Sequence, residues 1–452
     1  MLRRIVVLRE QKVLEEGWRD KSFEPAQSML EKEIQVRGVQ IDEDYHPVSI
    51  PGQPAMKKKP VAAEGFRYDD MFSAEAGTAY GVRVEATDED AIYRLRRDRR
   101  EEVIGVYADP AISVFPTPYC GRAALGNSTD VFNKLGVRAL HKENITGKKV
   151  RIAIVDTGVN HSTIPVAGGW SPDVNYVPGT APRDHGTMVA FDAKIAAPEA
   201  LIYDYALLRS SYNNVWTAFL SDAITAFADL IALITSRAPG PLVVNNSWGM
   251  YNRAEDAPVG SPENYSANID HPFNQIVRSL VSAGADVFFA AGNCGAHCPD
   301  PRCGEKDRGP GASIHGANSH PDVITVAAVT VTDRCLGYSS QGPGGLEPQK
   351  PDLAAYSHFA GSAVYPADFG TSAACPVAAG VAAALRQKFS PRRLAPVQLK
   401  ATLQRTATDL EGDGWDYDLG YGVINAAAAW KSLNGPISKR PDGRASKRRT
   451  VS

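Results

Sequence analysis

The chain has 452 residues, of which 43% are hydrophobic, 22% charged and 8% aromatic, enough apolar content for a large buried core and far from the composition of a disordered chain. Its 49 Lys and Arg nearly balance 51 Asp and Glu, for a formal net charge of −2, so no global field draws it to nucleic acid or acidic membrane. Nothing approaches about 18 consecutive apolar residues, so a membrane-spanning helix is not expected either.

In chain order, Arg3 and Arg4 precede an apolar run of only four residues, Ile5–Leu8. The run is too short for the core of a secretory signal, which makes a cytoplasmic location the expectation, but it suits a strand. Phe23–Val36 has apolar residues at helical spacing, His46–Ile50 reads as a strand, and Pro51 to Gly65, with its prolines and Lys57–Lys59, as a solvated loop. Tyr80–Glu85 alternates. Thr87–Asp90 supplies an N-cap and first-turn acids for a helix reaching Arg97, and Val103–Ala108 is a further strand. This βαββαβ order is that of a small ferredoxin-like α+β domain.

From Gly147 onward apolar strands alternate with helices, the pattern of a parallel α/β sheet. Strands fit Val150–Val155, Leu201–Leu207, Leu242–Asn246, Val287–Ala291 and Val323–Val329, and a core-facing helix fits Thr217–Ser236. The tail from Pro436 sets six basic residues against Asp442 and reads as solvated disorder. The chain thus divides into residues 1–120, 121–433 and 434–452.

Three segments place a reactive residue type at a strand end or helix start. Asp156 follows the apolar run Ile152–Val155 and precedes Thr157-Gly158, at the carboxyl edge of a strand where open α/β sheets bind ligands; a turn former is the alternative. His185 lies in Asp184-His185-Gly186-Thr187-Met188, where small residues leave room beside an imidazole. Alone, such a histidine reads as structural. Ser372 lies in Gly370-Thr371-Ser372-Ala373-Ala374-Cys375-Pro376, just before the apolar run Val377–Leu385, and by itself reads equally as an N-cap.

In combination these segments resemble the subtilisin-like serine peptidases, the subtilases: Val155–Val159, His185–Thr187 and Gly370–Pro376 match that family's aspartate, histidine and serine motifs, in its order. Ala290-Ala291-Gly292-Asn293 is similar to its oxyanion-hole motif and Asn246-Ser247-Trp248-Gly249 to its substrate strand. Tyr338–Pro343 and Gly420–Ala426 extend the resemblance, which runs from about Leu135 to Trp430. It implies a doubly wound parallel sheet with helices on both faces, behind a propeptide-type ferredoxin-like domain. It also implies a serine endopeptidase of the EC 3.4.21 type acting on proteins or peptides without a required cofactor. In that reading Ser372 is the nucleophile, His185 its base, Asp156 the group that orients the imidazole, and Asn293 an oxyanion donor beside the Ser372 N–H. Ser247, Trp248, Gly249, Ala290, Ala291 and Gly292 then wall the substrate pocket, and residues 1–120 act as an intramolecular inhibitor. Their tail, Asp109 to Cys120, would lie in the cleft and be cut near Tyr119; a permanent accessory domain is the alternative.

The chain also departs from the family pattern. Met188 and Phe191 replace a histidine and a glycine, Ala373-Ala374-Cys375-Pro376-Val377 replaces Met-Ala-Ser-Pro-His, and a calcium-binding loop after the histidine is missing. A second calcium candidate, Asp409 to Asp418, has Gly420 where an EF-hand needs glutamate and reads also as a polar turn. The insert after Asn293 carries Cys294, His297, Cys298 and Cys303, which leaves free thiols, a disulfide or zinc open. Cys375 reads as a small buried residue. Two rival functions stand beside hydrolysis: a catalytically silent peptide-binding scaffold, against which the intact four-residue set argues, and a subtilase-type transpeptidase or macrocyclase.

Overall fold

A computed structural model describes residues 1–9, 34–50, 79–114, 123–212, 215–236, 240–311, 313–410, 412 and 414–435. Most of the helix expected over Phe23–Val36, the Pro51–Gly65 loop and the basic tail from Pro436 lie outside the described residues.

Strands β1 (Leu2–Arg9), β2 (Val39–Ile41), β3 (Val48–Ile50), β4 (Ala79–Ala86) and β5 (Val103–Ala108) form an antiparallel sheet in the order β2-β4-β1-β5, with β3 also on β4. β2 and β3 pair with successive stretches of β4, so the single strand expected at His46–Ile50 is the second half of a divided edge. Helix α1 (Glu89–Asp98) starts as its motif predicts, with Asp88 accepting the Ala91 N–H at 2.7 Å. Ala91, Ile92 and Leu95 pack on Val6 and Leu8. Ile5 faces the other way and joins the core of the larger unit with Tyr45 and Val48. Ile5–Leu8 is uniformly apolar because both faces of β1 are covered.

The larger unit is built on seven parallel strands in the order β16-β15-β14-β12-β7-β9-β8. They are β7 (Arg151–Asp156), β8 (Val166–Trp170), β9 (Leu201–Ala206), β12 (Leu242–Asn246), β14 (Asp286–Ala290), β15 (Ile324–Val329) and β16 (Leu353–Tyr356). β8 and β16 escape a sequence reading because Val-Ala-Gly-Gly-Trp and Leu-Ala-Ala-Tyr lack the β-branched run that marks a strand. Ile152 and Ile154 of β7 face a core shared with α2 (Ser128–Lys134), α3 (Arg138–His141), α4 (His185–Ala196), α7 (Thr371–Arg386), α8 (Pro396–Arg405) and α9 (Ala426–Asn434). Ala153 and Val155 face a second core with α5 (Leu220–Thr235) and α6 (Pro272–Ser282). Strand order reverses between β7 and β12, so their carboxyl ends open the crevice where such sheets bind ligands. No helix among the described residues is long and apolar enough to cross a membrane.

Two contacts set the position of α7. Gly380 meets α4 so closely that a Cβ there would lie 2.2 Å from the Ala193 carbonyl oxygen. At the far end of α7, Arg386 grips the Asp286 carboxylate of β14 at 2.5 and 2.6 Å, with both side chains fully buried. Gly380→Ala should lose about 1–3 kcal/mol of stability by overpacking, read as a lowered thermal midpoint. Arg386→Met strands a buried carboxylate and should lose about 3–5 kcal/mol in urea unfolding, most of it regained when Asp286→Leu is added.

Candidate active site

β7 ends on Asp156, fully buried, whose Oδ1 accepts the Thr157 N–H at 2.7 Å and bonds His185 Nδ1 at 2.8 Å. His185 is the first residue of α4, and its Nε2 is buried with no hydrogen-bond partner among the described residues. A buried imidazole nitrogen without a partner carries a desolvation cost. Its neighbour Asp184 was not singled out in the sequence, yet it accepts Trp216 Nε1 at 2.8 Å and the Tyr365 hydroxyl, which anchors the start of α4.

Ser372 is the second residue of α7, behind Gly370 at φ +76°. Gly370 is required twice, since a Cβ there would also lie 2.8 Å from Asn293 Nδ2. Pro376 has no N–H to give the Ser372 carbonyl four residues earlier. Ser247 Oγ takes that place at 3.1 Å, while Ser372 Oγ donates to the Ser247 carbonyl at 3.4 Å. The Ser372–His185 bond expected from the sequence is therefore open in this geometry, a common state of sites without substrate. Asn293 Oδ1 accepts from Thr371 N and Oγ1 at 3.0 and 3.1 Å, which turns Nδ2 outward, buried and without a described partner. Thr371 is thus a positioning residue that sequence reasoning missed.

Ser247, Trp248 and Gly249 continue from β12, and Ala290, Ala291 and Gly292 from β14. The Trp248 side chain is buried against Phe273 and Phe289. Asn318 Nδ2, also missed, bridges the Trp248 and Ala290 carbonyls at 2.9 and 2.8 Å and so ties the two segments together. Strand β13 (Trp248–Gly249) pairs antiparallel with β6 (Ala111–Val114), Trp248 opposite Val114 and Gly249 opposite Ser113. On its other edge β6 pairs with β11 (Val215–Phe219), which itself pairs with β10 (Ser210–Tyr212).

The sequence model of the Subtilase family matches residues 147–422, more than half of the chain. The chain belongs to the subtilase family. It is similar to subtilisin E of Bacillus subtilis, 25% identical over 387 residues that cover 83% of this chain and 86% of that protein. It is also similar to fervidolysin of Fervidobacterium pennivorans, 28% identical over 337 residues, 69% of this chain and 44% of that one. The crystal structure of fervidolysin, a keratinolytic enzyme related to subtilisin, superposes with a TM-score of 0.59 at 18% identity, over 97% of this chain and 62% of that chain. That likeness shows the fold, a parallel α/β sheet of the subtilisin kind. Membership makes the chain a serine endopeptidase by class.

Within this subtilase the cysteine insert is cross-linked, Cys294 to Cys303, and Cys298 is disulfide-bonded too, so the free-thiol and zinc alternatives fall away. Cys375 is fully buried, with its Sγ 3.9 Å from the Asn246 carbonyl. At the calcium candidate, Asp409 accepts the Gly412 and Gly414 amides and Asp416 those of Asp418 and Leu419. These bonds are those of a polar turn, the alternative reading of this segment.

Asp192 on α4 and Asp368, four residues before Ser372, form a buried carboxyl–carboxylate pair. Asp368 accepts Ser362 N and Oγ at 2.6 and 2.5 Å. Both Asp192 carboxyl oxygens are buried with no donor among the described residues, and beside the Asp368 charge the pair calls for one proton between them. Burial, then the Asp368 charge, push the Asp192 carboxyl well above the usual carboxylate range. The folded state binds this proton more tightly than the unfolded chain, so its contribution is full below about pH 4 and lost as pH rises through the raised value. Asp192→Asn keeps the shape and the hydrogen bond without the proton. Thermal midpoints measured from pH 4 to 8 should fall less steeply for Asp192→Asn than for wild type, with the mutant the more stable at pH 8. Parallel curves would remove the shared proton from the account.

Proposed function

We propose that this chain hydrolyses internal peptide bonds of proteins or peptides through an acyl-enzyme on Ser372. The observation that carries the proposal is a pair of buried atoms without partners among the described residues, His185 Nε2 at the start of α4 and Asn293 Nδ2 beside the start of α7 that bears Ser372. Each is costly to leave bare unless a reacting group fills it. Ser372 Oγ, swung from the Ser247 carbonyl, would give its proton to His185 Nε2 as it attacks the substrate carbonyl carbon. Asp156 holds the other imidazole nitrogen and stabilises the imidazolium. Asn293 Nδ2 and the Ser372 N–H, an orphan donor at a helix start, would receive the oxyanion. His185 then protonates the leaving amine, and water, deprotonated by the same nitrogen, releases the acid. The cycle uses protein groups and water alone and calls for no cofactor.

The N-terminal unit is read as an intramolecular inhibitor. Support comes from β6, which lies antiparallel on the substrate strand between β11 and β13, where a substrate chain would lie. Next to it Asp109 accepts Ser221 N and Oγ at 2.9 and 2.7 Å at the start of α5, and Arg83 donates to Ser221 Oγ at 2.7 Å and pairs with Asp222. Glu263 holds Arg96 at 2.6 Å and Arg4 at 3.4 Å. The cut expected near Tyr119 falls outside the described residues. A disulfide beside the cleft is a bond that persists in oxidising surroundings and counts against a cytoplasmic place of action.

Intact mass of the full chain and of Ser372→Ala, followed over hours with and without a fluorophosphonate probe, tests both readings. The wild type should gain one probe on Ser372 and lose a fragment of about 120 residues, the mutant neither. A labelled but uncut wild type would keep the enzyme and make the N-terminal unit permanent. Absence of label, even after limited proteolysis of that unit, would overturn the peptidase reading in favour of a peptide-binding scaffold.

A further inference from the structure

The insert that follows Asn293 reaches the chain lying in the cleft. Arg302 Nη2 donates to the Val114 carbonyl at 3.0 Å, and Nη1 to Ser113 Oγ at 2.9 Å. The Tyr251 hydroxyl donates to the same Val114 carbonyl at 2.9 Å. Arg302 is also held by groups outside the chain in the cleft. Asp300, almost fully buried, accepts Nε and Nη2 at 3.0 and 3.1 Å and the Arg302 backbone N–H at 3.0 Å. The guanidinium lies 3.7 Å above the Tyr251 ring. The loop itself is closed by Cys294–Cys303, and the Asp300 N–H donates to the Asn293 carbonyl at 2.9 Å. A fork fixed by a carboxylate and a ring gives up little side-chain freedom on binding.

We propose that Arg302 is a specificity-determining residue that selects a short hydrogen-bond-accepting side chain, Ser, Thr, Asn or Asp, at the third substrate residue before the cut. The assignment rests on the peptidase reading above and on β6 marking the substrate path. Antiparallel register places the substrate residue after the Val114 equivalent opposite Ser247, whose carbonyl is the one Ser372 Oγ touches. That residue carries the scissile carbonyl, so the Ser113 equivalent is third. Alanine there leaves Nη1 without its acceptor, and lysine sets an ammonium against the guanidinium. A hydrogen bond to a charged donor corresponds to about a tenfold preference.

The test is internal competition on the full-length protein. Peptide amides Ala-Ile-X-Val-Phe, copied from residues 111–115 with X as Ser, Ala or Lys, are mixed in equal amounts and their products counted by mass. The product ratio equals the ratio of kcat/KM whatever fraction of the protein is active. Phenylalanine methyl ester, too short to reach Arg302, reports activity separately. Serine should outrun alanine about tenfold and lysine by more, and Arg302→Met and Arg302→Lys should bring the serine-to-alanine ratio within twofold of one. A wild-type ratio near one, or a tenfold ratio that survives both substitutions, overturns the subsite while ester hydrolysis upholds the peptidase. The wild-type ratio needs no variant, so a misfolded mutant does not shelter the idea. If wild type hydrolyses neither ester nor peptides, even after limited proteolysis of the N-terminal unit, the peptidase reading falls and takes the subsite with it.

Discussion

Two helices can touch here only because one residue has no side chain. α4 begins with His185 and α7 with Thr371-Ser372, and where they cross, Gly380 sits against the Ala193 carbonyl. Helix separation at a crossing follows the bulk at the contact, so the distance between imidazole and hydroxyl is set more than a turn away from either. The rest is arranged around that crossing. Arg386–Asp286 ties the far end of α7 to β14, the strand that leads to Asn293. The Asp192–Asp368 pair ties α4 to the approach to Ser372. Each link joins two of the segments that meet at the crevice, and each is buried.

The N-terminal sheet depends on the same unit in another way. Among the described residues one of its faces packs on α5 and α6, where Ile5, Tyr45 and Val48 have their neighbours. Its polar hold centres on Ser221, reached by Asp109, Arg83 and the Tyr45 hydroxyl. Burial raises the Asp109 carboxyl to about 6. A carboxyl that is harder to ionise when docked favours docking at low pH, and that contribution fades as pH rises from about 4 through 6. The grip is therefore weakest in neutral and alkaline solution.

Much of this was legible in the sequence because local rules and tertiary context agreed. The Asp88 cap, the apolar strands of the central sheet and the three motifs around Asp156, His185 and Ser372 each carry a short-range signal. What stayed hidden depends on partners far along the chain. Thr371 and Asn318 orient groups through single hydrogen bonds, which leave no periodicity to read. β2 exists because β4 offers it an edge, and β8 because β9 does. The burial of the Trp248 ring in the aromatic core, with its backbone paired to β6, likewise depends on partners far along the chain.

The cysteine insert begins at the residue after Asn293 and closes on itself within nine positions. Its backbone rests on the Asn293 carbonyl, while the Asn293 side chain is held by Thr371. The insert thus meets the segment that bears Ser372 at two places, through Asn293 and through Tyr338, whose carbonyl accepts the Gly295 N–H and whose hydroxyl accepts the Gly370 N–H. A loop closed so near its own start is a cassette: on the proposed peptidase reading, residues between Cys294 and Cys303 other than the bonded Cys298 could be exchanged to address other sequences with Asn293 left in place.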